Sequence, residues 1–200
     1  MFVNEKVLKR LIKAAFKGMG LHIEHTSEGW LAMSGYMWNI EVDYQKLPNK
    51  IKAQIVELVG EIPSPGEGYL YLKGYSPQSE IPGMTYRNYM KEYDNPLRKY
   101  SFTNILIKTS ENNLSVLESP DDDKIFVPEY IEDLIDENAT EEGELKPEPG
   151  ASSPGSSFVI WRNNVMALAA HKRDPRYAGE RQFLEAVEGQ SLRWEFDDED

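Results

Sequence analysis

Apolar residues open the chain at helical spacing: Val7, Leu8, Leu11, Ile12, Ala15 and Phe16 fall on one face, and Lys6, Lys9, Arg10, Lys13 and Lys17 fall mainly on the other. That pattern predicts an amphipathic surface helix, capped by Asn4 and stopped by Gly18 and Gly20. Alternation then takes over. Leu21, Ile23 and His25 share a face of a predicted strand over 21–26, and Ser27-Glu28-Gly29 turns the chain. Two short strands over 30–33 and 36–42 flank Ser34-Gly35, with Trp38, Ile40 and Val42 alternating with Asn39, Glu41 and Asp43 as in a half-buried sheet. A second helix opens at Pro48, lines up Ile51, Ile55, Leu58 and Val59, and ends at Gly60.

The loop over 62–68 is rigid with Pro63 and Pro65, and a strand follows over 69–73. Tyr86, Tyr89, Met90 and Tyr93 lie at helical spacing within a segment broken by Pro77, Pro82, Gly83 and Pro96, which predicts one short helix there. Residues 102–109 and 114–117 read as a hairpin closed near Glu111-Asn112-Asn113. Ile125-Phe126-Val127 is a short strand, and Pro128 opens an acidic helix running to about Asp136. Residues 138–157, rich in Glu, Pro, Gly and Ser, read as a linker or long loop. Order returns with a hairpin over 158–161 and 165–170 across Asn163-Asn164, a helix over 175–188 carrying Tyr177, Phe183, Leu184 and Val187, and a last strand marked by Leu192, Trp194 and Phe196.

Trp161, Trp194 and Phe196 need more cover than a small separate lobe supplies, so these C-terminal elements are expected to complete the N-terminal sheet. The expectation is therefore an α+β protein with a mostly antiparallel sheet and three to five helices. It would form one domain: an α+β body over 1–137, an acidic linker or loop over 138–157, and a hairpin-helix-strand unit over 158–200.

Charge sharpens this picture. The formal net charge is −12, and residues 111–148 carry fourteen acids against only Lys124 and Lys146, so this stretch holds the whole excess. The remainder is neutral in sum, with a basic first helix and an acidic end at Asp197-Asp198-Glu199-Asp200. An acidic field repels phosphate over about a Debye length, which disfavours nucleic acid at this stretch, and it attracts basic surfaces. The alternative is a solvated spacer that only aids solubility. The candidate partner-binding acids are Asp121, Asp122, Asp123, Glu129, Glu132, Asp133, Asp136 and Glu137.

The templates for chemistry fail one by one. With no cysteine, disulfides, thiolate zinc sites and cysteine nucleophiles are excluded, and a reducing compartment fits. His22 and His25, three apart on a strand, point to opposite faces, and His171 precedes Lys172-Arg173, a poor setting for a metal ligand. Asp121-Asp122-Asp123-Lys124 contains the residue types of a magnesium nuclease, but a metal site needs them converging from separate strands. Gly66-Glu67-Gly68 precedes a strand rather than opening a helix, so it is no phosphate loop. Tyr69, Tyr71 and Tyr75 near Lys73 could stack bases, yet that mode needs a positively charged groove. The start of the chain lacks the unbroken apolar core of a signal peptide, and no run approaches about 18 apolar residues. The expectation is a cytoplasmic, non-enzymatic binding protein with no catalytic residue, no cofactor, no metal and no membrane; its oligomeric state is not fixed by the sequence.

Several segments together carry a resemblance. They are Asn4-Glu5-Lys6-Val7-Leu8-Lys9-Arg10-Leu11-Ile12-Lys13-Ala14-Ala15, Gly29-Trp30, Leu47-Pro48-Asn49-Lys50-Ile51-Lys52-Ala53, Glu57-Leu58-Val59-Gly60-Glu61-Ile62-Pro63 and Ile160-Trp161-Arg162-Asn163. They resemble a family of proteins carried by phages and mobile elements of gut Firmicutes, better over the first 70 residues and the last 45 than in the middle. The resemblance implies a setting in which small acidic anti-CRISPR proteins disarm single-protein CRISPR effector nucleases of the host bacterial cell. Many such inhibitors offer carboxylates to a basic groove that normally holds nucleic acid, where they stand in for phosphates opposite Arg and Lys. A phage structural or assembly accessory is the alternative, and an enzyme with an acidic metal site is the more remote one.

Overall fold

The computed structural model describes residues 1–79, 87–94, 98–109 and 113–173. Asn4 caps the first helix, α1 (Glu5–Lys17), by accepting from the amides of Lys6 and Val7 at 3.0 and 3.3 Å. Leu8, Leu11, Ile12 and Ala15 are buried along one side, and the Gly18 amide donates back to Ala14 and Ala15 to close the last turn. Three antiparallel strands follow: β1 (Leu21–His25), β2 (Trp30–Gly35) and β3 (Trp38–Asp43). The next helix, α2 (Asn49–Val59), buries Ile51 and Ile55. The chain then returns as β4 (Glu67–Tyr71) on the free side of β1, with β5 (Gln78–Ser79) beside it.

The reversal between β2 and β3 falls two residues later than the sequence suggests. Ser34 and Gly35 belong to β2, and the turn is made by Tyr36 and Met37, with Met37 at φ 68°. Gly35 serves close packing: a Cβ there would lie 2.7 Å from Ala15 Cβ and 2.8 Å from Trp38 Nε1, so α1 and the indole press directly on the backbone.

The second half adds α3 (Tyr89–Glu92), β6 (Arg98–Lys108), β7 (Asn113–Glu118), β8 (Lys124–Pro128), α4 (Glu129–Leu134), β9 (Gly150–Ser152), β10 (Phe158–Arg162) and β11 (Met166–His171). The protein is α+β: eleven strands form one antiparallel sheet ordered β5-β4-β1-β2-β3-β11-β10-β9-β6-β7-β8, with four helices among the described residues. The expected C-terminal hairpin is β10 and β11, and β11 pairs with β3 from Met166↔Val42 to Ala170↔Trp38. The helix expected over 175–188, the strand expected over 192–196 and the Tyr86 position of the short helix lie outside the described residues.

Alternation on these strands builds two cores. On one face Ile23, Met33, Ile40, Leu168 and Trp161 join Leu8, Ile12, Ile51, Ile55, Ile131 and Leu134 from α1, α2 and α4. On the other, Tyr89 of α3 and Tyr93 just after it cover Ala151, Phe158, Ile160, Ala167 and Ala169.

Within the stretch expected as a linker or long loop over 138–157, residues 150–152 form a strand and the rest carries no helix or strand. That strand, β9, joins the sheet, pairing with β10 at Ile160↔Ala151 and with β6 from Arg98↔Ser152 to Tyr100↔Gly150. Upstream, Asn164 accepts from the Leu145 amide at 2.8 Å and donates to the Gly143 carbonyl at 3.0 Å, while Asn163 donates to the Leu145 carbonyl at 2.9 Å. The linker-like composition has a packing cause. The indole of Trp161 would sit 2.9 Å from a Cβ at Gly150. That ring stacks on Phe102 at 5.6 Å with a 5° interplanar angle. The position under such a ring must be small, which accounts for Gly150 in a strand that reads as loop.

Candidate functional site

The acidic excess gathers where the sheet ends, at β8 and the helix that follows it. The turn between β7 and β8 is fixed from within. Ser119 Oγ accepts from the amides of Asp121 and Asp123 at 3.3 and 3.1 Å. The Ser119 carbonyl takes the Asp122 amide at 3.1 Å, and the Ser119 amide donates to the Asp123 carbonyl at 2.9 Å. Asp122 adopts φ 61°, a left-handed conformation that Asp tolerates through its short polar side chain.

Asp123 is tied to the body. Its Oδ2 accepts from Tyr100 Oη at 2.6 Å and from Arg98 Nη1 at 2.7 Å. Partial burial alone would raise this carboxyl, but the hydrogen bonds from Tyr100 and Arg98 outweigh it and hold the group below its ordinary value. Burial and the bond to Asp123 in turn push the Tyr100 phenol up to about 12. Asp121 stands 3.7 Å from Arg98 Nε and, like Asp122, is exposed. Below the turn, Lys124 Nζ makes a buried ion pair with Glu118 at 2.9 Å and donates to the Asp122 carbonyl at 3.1 Å.

The helix α4 divides its acids by face. Glu129 accepts from Asn113 Nδ2 at 2.8 Å and Glu132 from Ser115 Oγ at 2.6 Å, so both carboxylates pin the helix onto β7. Asp133 is exposed. The helix stops at Leu134, short of the expected Asp136, because the Asp136 amide leaves for the Phe2 carbonyl and Asn4 donates to the Leu134 carbonyl. Asp136 is half-buried and accepts from the Asn138 amide at 3.0 Å, and Glu137 is exposed.

Of the eight acids singled out in the sequence, Asp121, Asp122, Asp133 and Glu137 offer exposed carboxylates. Asp123, Glu129 and Glu132 are engaged by the body, and Asp136 holds a local turn. The anchoring residues Arg98, Tyr100, Asn113 and Ser115 carry no motif; only the register of β6, β7 and β8 brings them to these acids. Farther along, Glu144 is also taken inward, where it pairs with the Met1 ammonium.

Beside this edge a cleft of about 560 Å³ opens at the start of α1. Its lining includes Lys6, Lys9 and Lys50 together with Glu5, Asp136 and Glu141, so its walls are mixed in charge. The sheet's α3-covered face holds a different acid, Glu41, which is fully buried on β3. It accepts from the amides of Arg87 at 3.1 Å and Tyr89 at 2.8 Å. Burial pushes its carboxyl up to about 7 against the opposing pull of those amides.

The histidines sit apart. His25 is buried with Nδ1 2.9 Å from the Pro63 carbonyl and its ring 4.6 Å from Tyr44. His22 lies on the other face of β1, and His171 packs 4.1 Å from Phe158. Tyr69 and Tyr71 pack on the main core, and Tyr75 is exposed. Among the described residues, no group of three His, Asp or Glu is placed to hold a metal ion, and no helix is long and apolar enough to cross a membrane.

No family model matches the chain, and no curated protein matches it. Among solved structures it is similar to a candidate DNA polymerase III beta subunit from Eubacterium rectale ATCC 33656, at 11% identity, covering 91% of this chain and 67% of that one. The TM-score is 0.35, a likeness too distant to support any inference.

Proposed function

We propose that this chain is a non-enzymatic binding protein that sets the acidic edge of its sheet against the basic, nucleic-acid-binding surface of another protein. The partner favoured by the family resemblance is a single-protein CRISPR effector nuclease in the host bacterial cytoplasm, which the protein would inhibit. One observation carries the reading: Asp121, Asp122, Asp133 and Glu137 are exposed on backbone that internal hydrogen bonds hold in place. Carboxylates on a fixed frame lose little freedom on docking, so more of their attraction for Arg and Lys survives as affinity.

The test uses purified, guide-loaded effector nucleases and the variant Asp121→Asn/Asp122→Asn/Asp133→Asn/Glu137→Gln. Exposed ion pairs contribute about 0.5 kcal/mol each, so four amount to about 2 kcal/mol, or about 30-fold in Kd. Binding and inhibition by the native protein should weaken steeply from 0.05 to 0.5 M salt, and the variant should show a shallower dependence. Binding indifferent to both salt and the four substitutions would sink the proposal.

A further inference from the structure

The basic side of α1 bears on a second partner. Acids outnumber bases 34 to 22 in this chain, so a carboxylate is the easiest neighbour for any cation to find. Four cations of the body have one: Arg98 pairs with Asp123, Lys99 with Glu148, Lys124 with Glu118, and Arg162 with Asp94 and Glu148. Lys6, Lys9, Arg10, Lys13 and Lys17 make no ion pair with any described residue, and all but Lys9 are exposed.

These five share one stripe. At 3.6 residues per turn they fall within an arc of about 100°, and they run for about 16 Å along the axis. Members three or four residues apart stand about 5–6 Å from one another. The stripe is rigid, because Leu8 and Ile12 on the opposite side of the helix are fully buried. Its two ends differ. Near Lys6 and Lys9 the cleft lining includes Glu5, Asp136 and Glu141, whereas Arg10, Lys13 and Lys17 have no ion-pair partner among the described residues.

We infer that the exposed face of α1 is a phosphate-binding surface for duplex nucleic acid, distinct in charge from the acidic edge it adjoins. Charge complementarity selects a polyanion. The stripe bears no aromatic side chain, and Phe16 packs toward the core, so it lacks the stacking platform that single strands use. Contacts confined to phosphates read shape and charge rather than base sequence.

The experiment is fluorescence anisotropy with a fluorescein-labelled 20-base-pair DNA duplex of mixed sequence, titrated with the full chain between 20 and 150 mM NaCl. With three phosphates neutralised, log K should fall against log salt with a slope of about −3. The variant Arg10→Gln/Lys13→Gln/Lys17→Gln should lose at least tenfold in affinity at 50 mM and flatten the slope toward zero, with an unchanged circular dichroism melt. The acidic-edge variant described above should bind the duplex at least as well as the native protein, which keeps failure here distinct from failure of the proposed function. No binding by the native protein at 20 mM, or equal binding by the triple variant, would overturn the inference. Preference for poly-L-glutamate over the duplex would overturn it too, by assigning the face to an acidic protein.

Discussion

Replacing Glu41 with glutamine should remove a pH dependence from the stability of this protein. Glu41 sits between Ala32 and Ala167 in the cross-strand row, fully buried, and holds α3 through the Arg87 and Tyr89 amides. Two effects compete at its carboxyl. Loss of water favours the neutral acid, the amides favour the anion, and the first prevails to place the group at about 7 against an ordinary 4.5. A raised folded-state value means that the folded protein binds the extra proton. Its stabilising contribution is full below about 4.5 and is lost as pH rises through about 7. Between pH 5 and pH 8 the loss amounts to about 2–3 kcal/mol. Urea denaturation followed by the fluorescence of buried Trp38 and Trp161 reads this directly. Glutamine shifts the whole curve by a constant, since its amide nitrogen faces donors. The informative quantity is therefore the stability of the native protein minus that of Glu41→Gln, which should fall by about 2–3 kcal/mol from pH 5 to pH 8. Subtraction also cancels His171, whose value burial and then the Arg87 charge hold below the ordinary one. Working above pH 5 keeps Asp123 ionised throughout. Parallel curves, or a difference that grows with pH, would show that the amides hold the anion and refute the reasoning.

Two further outcomes follow from packing. Asn163 accepts from the Val165 and Met166 amides, each at 3.0 Å, and donates to Leu145, so Asn163→Ala should cost about 2–3 kcal/mol. It should also speed Glu-C cleavage at Glu141 and Glu142 several-fold; an unchanged digestion pattern would mean that the segment is held by other contacts. Gly35→Ala should cost about 1–3 kcal/mol in a thermal melt, since its methyl meets Ala15 and the Trp38 indole. An unshifted melt would contradict that contact.

The local signals that survived were those that depend on a few neighbouring residues. Asn4 before an apolar stripe gave α1, and Pro48 with Gly60 bracketed α2. Alternation gave β3, and the Asn163-Asn164 turn gave the final hairpin. What failed were features decided at a distance. Gly35 and Gly150 look like turn residues, yet each is a glycine because an indole crowds its backbone. The acidic run looked like one solvated stretch. Its division into inward and outward carboxylates depends on Arg98, Tyr100, Asn113 and Ser115, which only strand register brings near. Glu41 looked like an outward residue of a half-buried strand, and α3 lies over it.

The pairing of β3 with β11 has a consequence for how the protein is made. A ribosome delivers β1, β2 and β3 early, and they can pair at once, but the far side of β3 waits for β11 until residues 44–165 have been synthesised. Throughout that interval Trp38, Ile40 and Val42 lie on a strand whose outer amides and carbonyls have no partner, an edge that invites pairing with other nascent chains. Translation speed and chaperone occupancy thus enter the yield of folded protein, and a C-terminal truncation before Met166 would strand the sheet with that edge open.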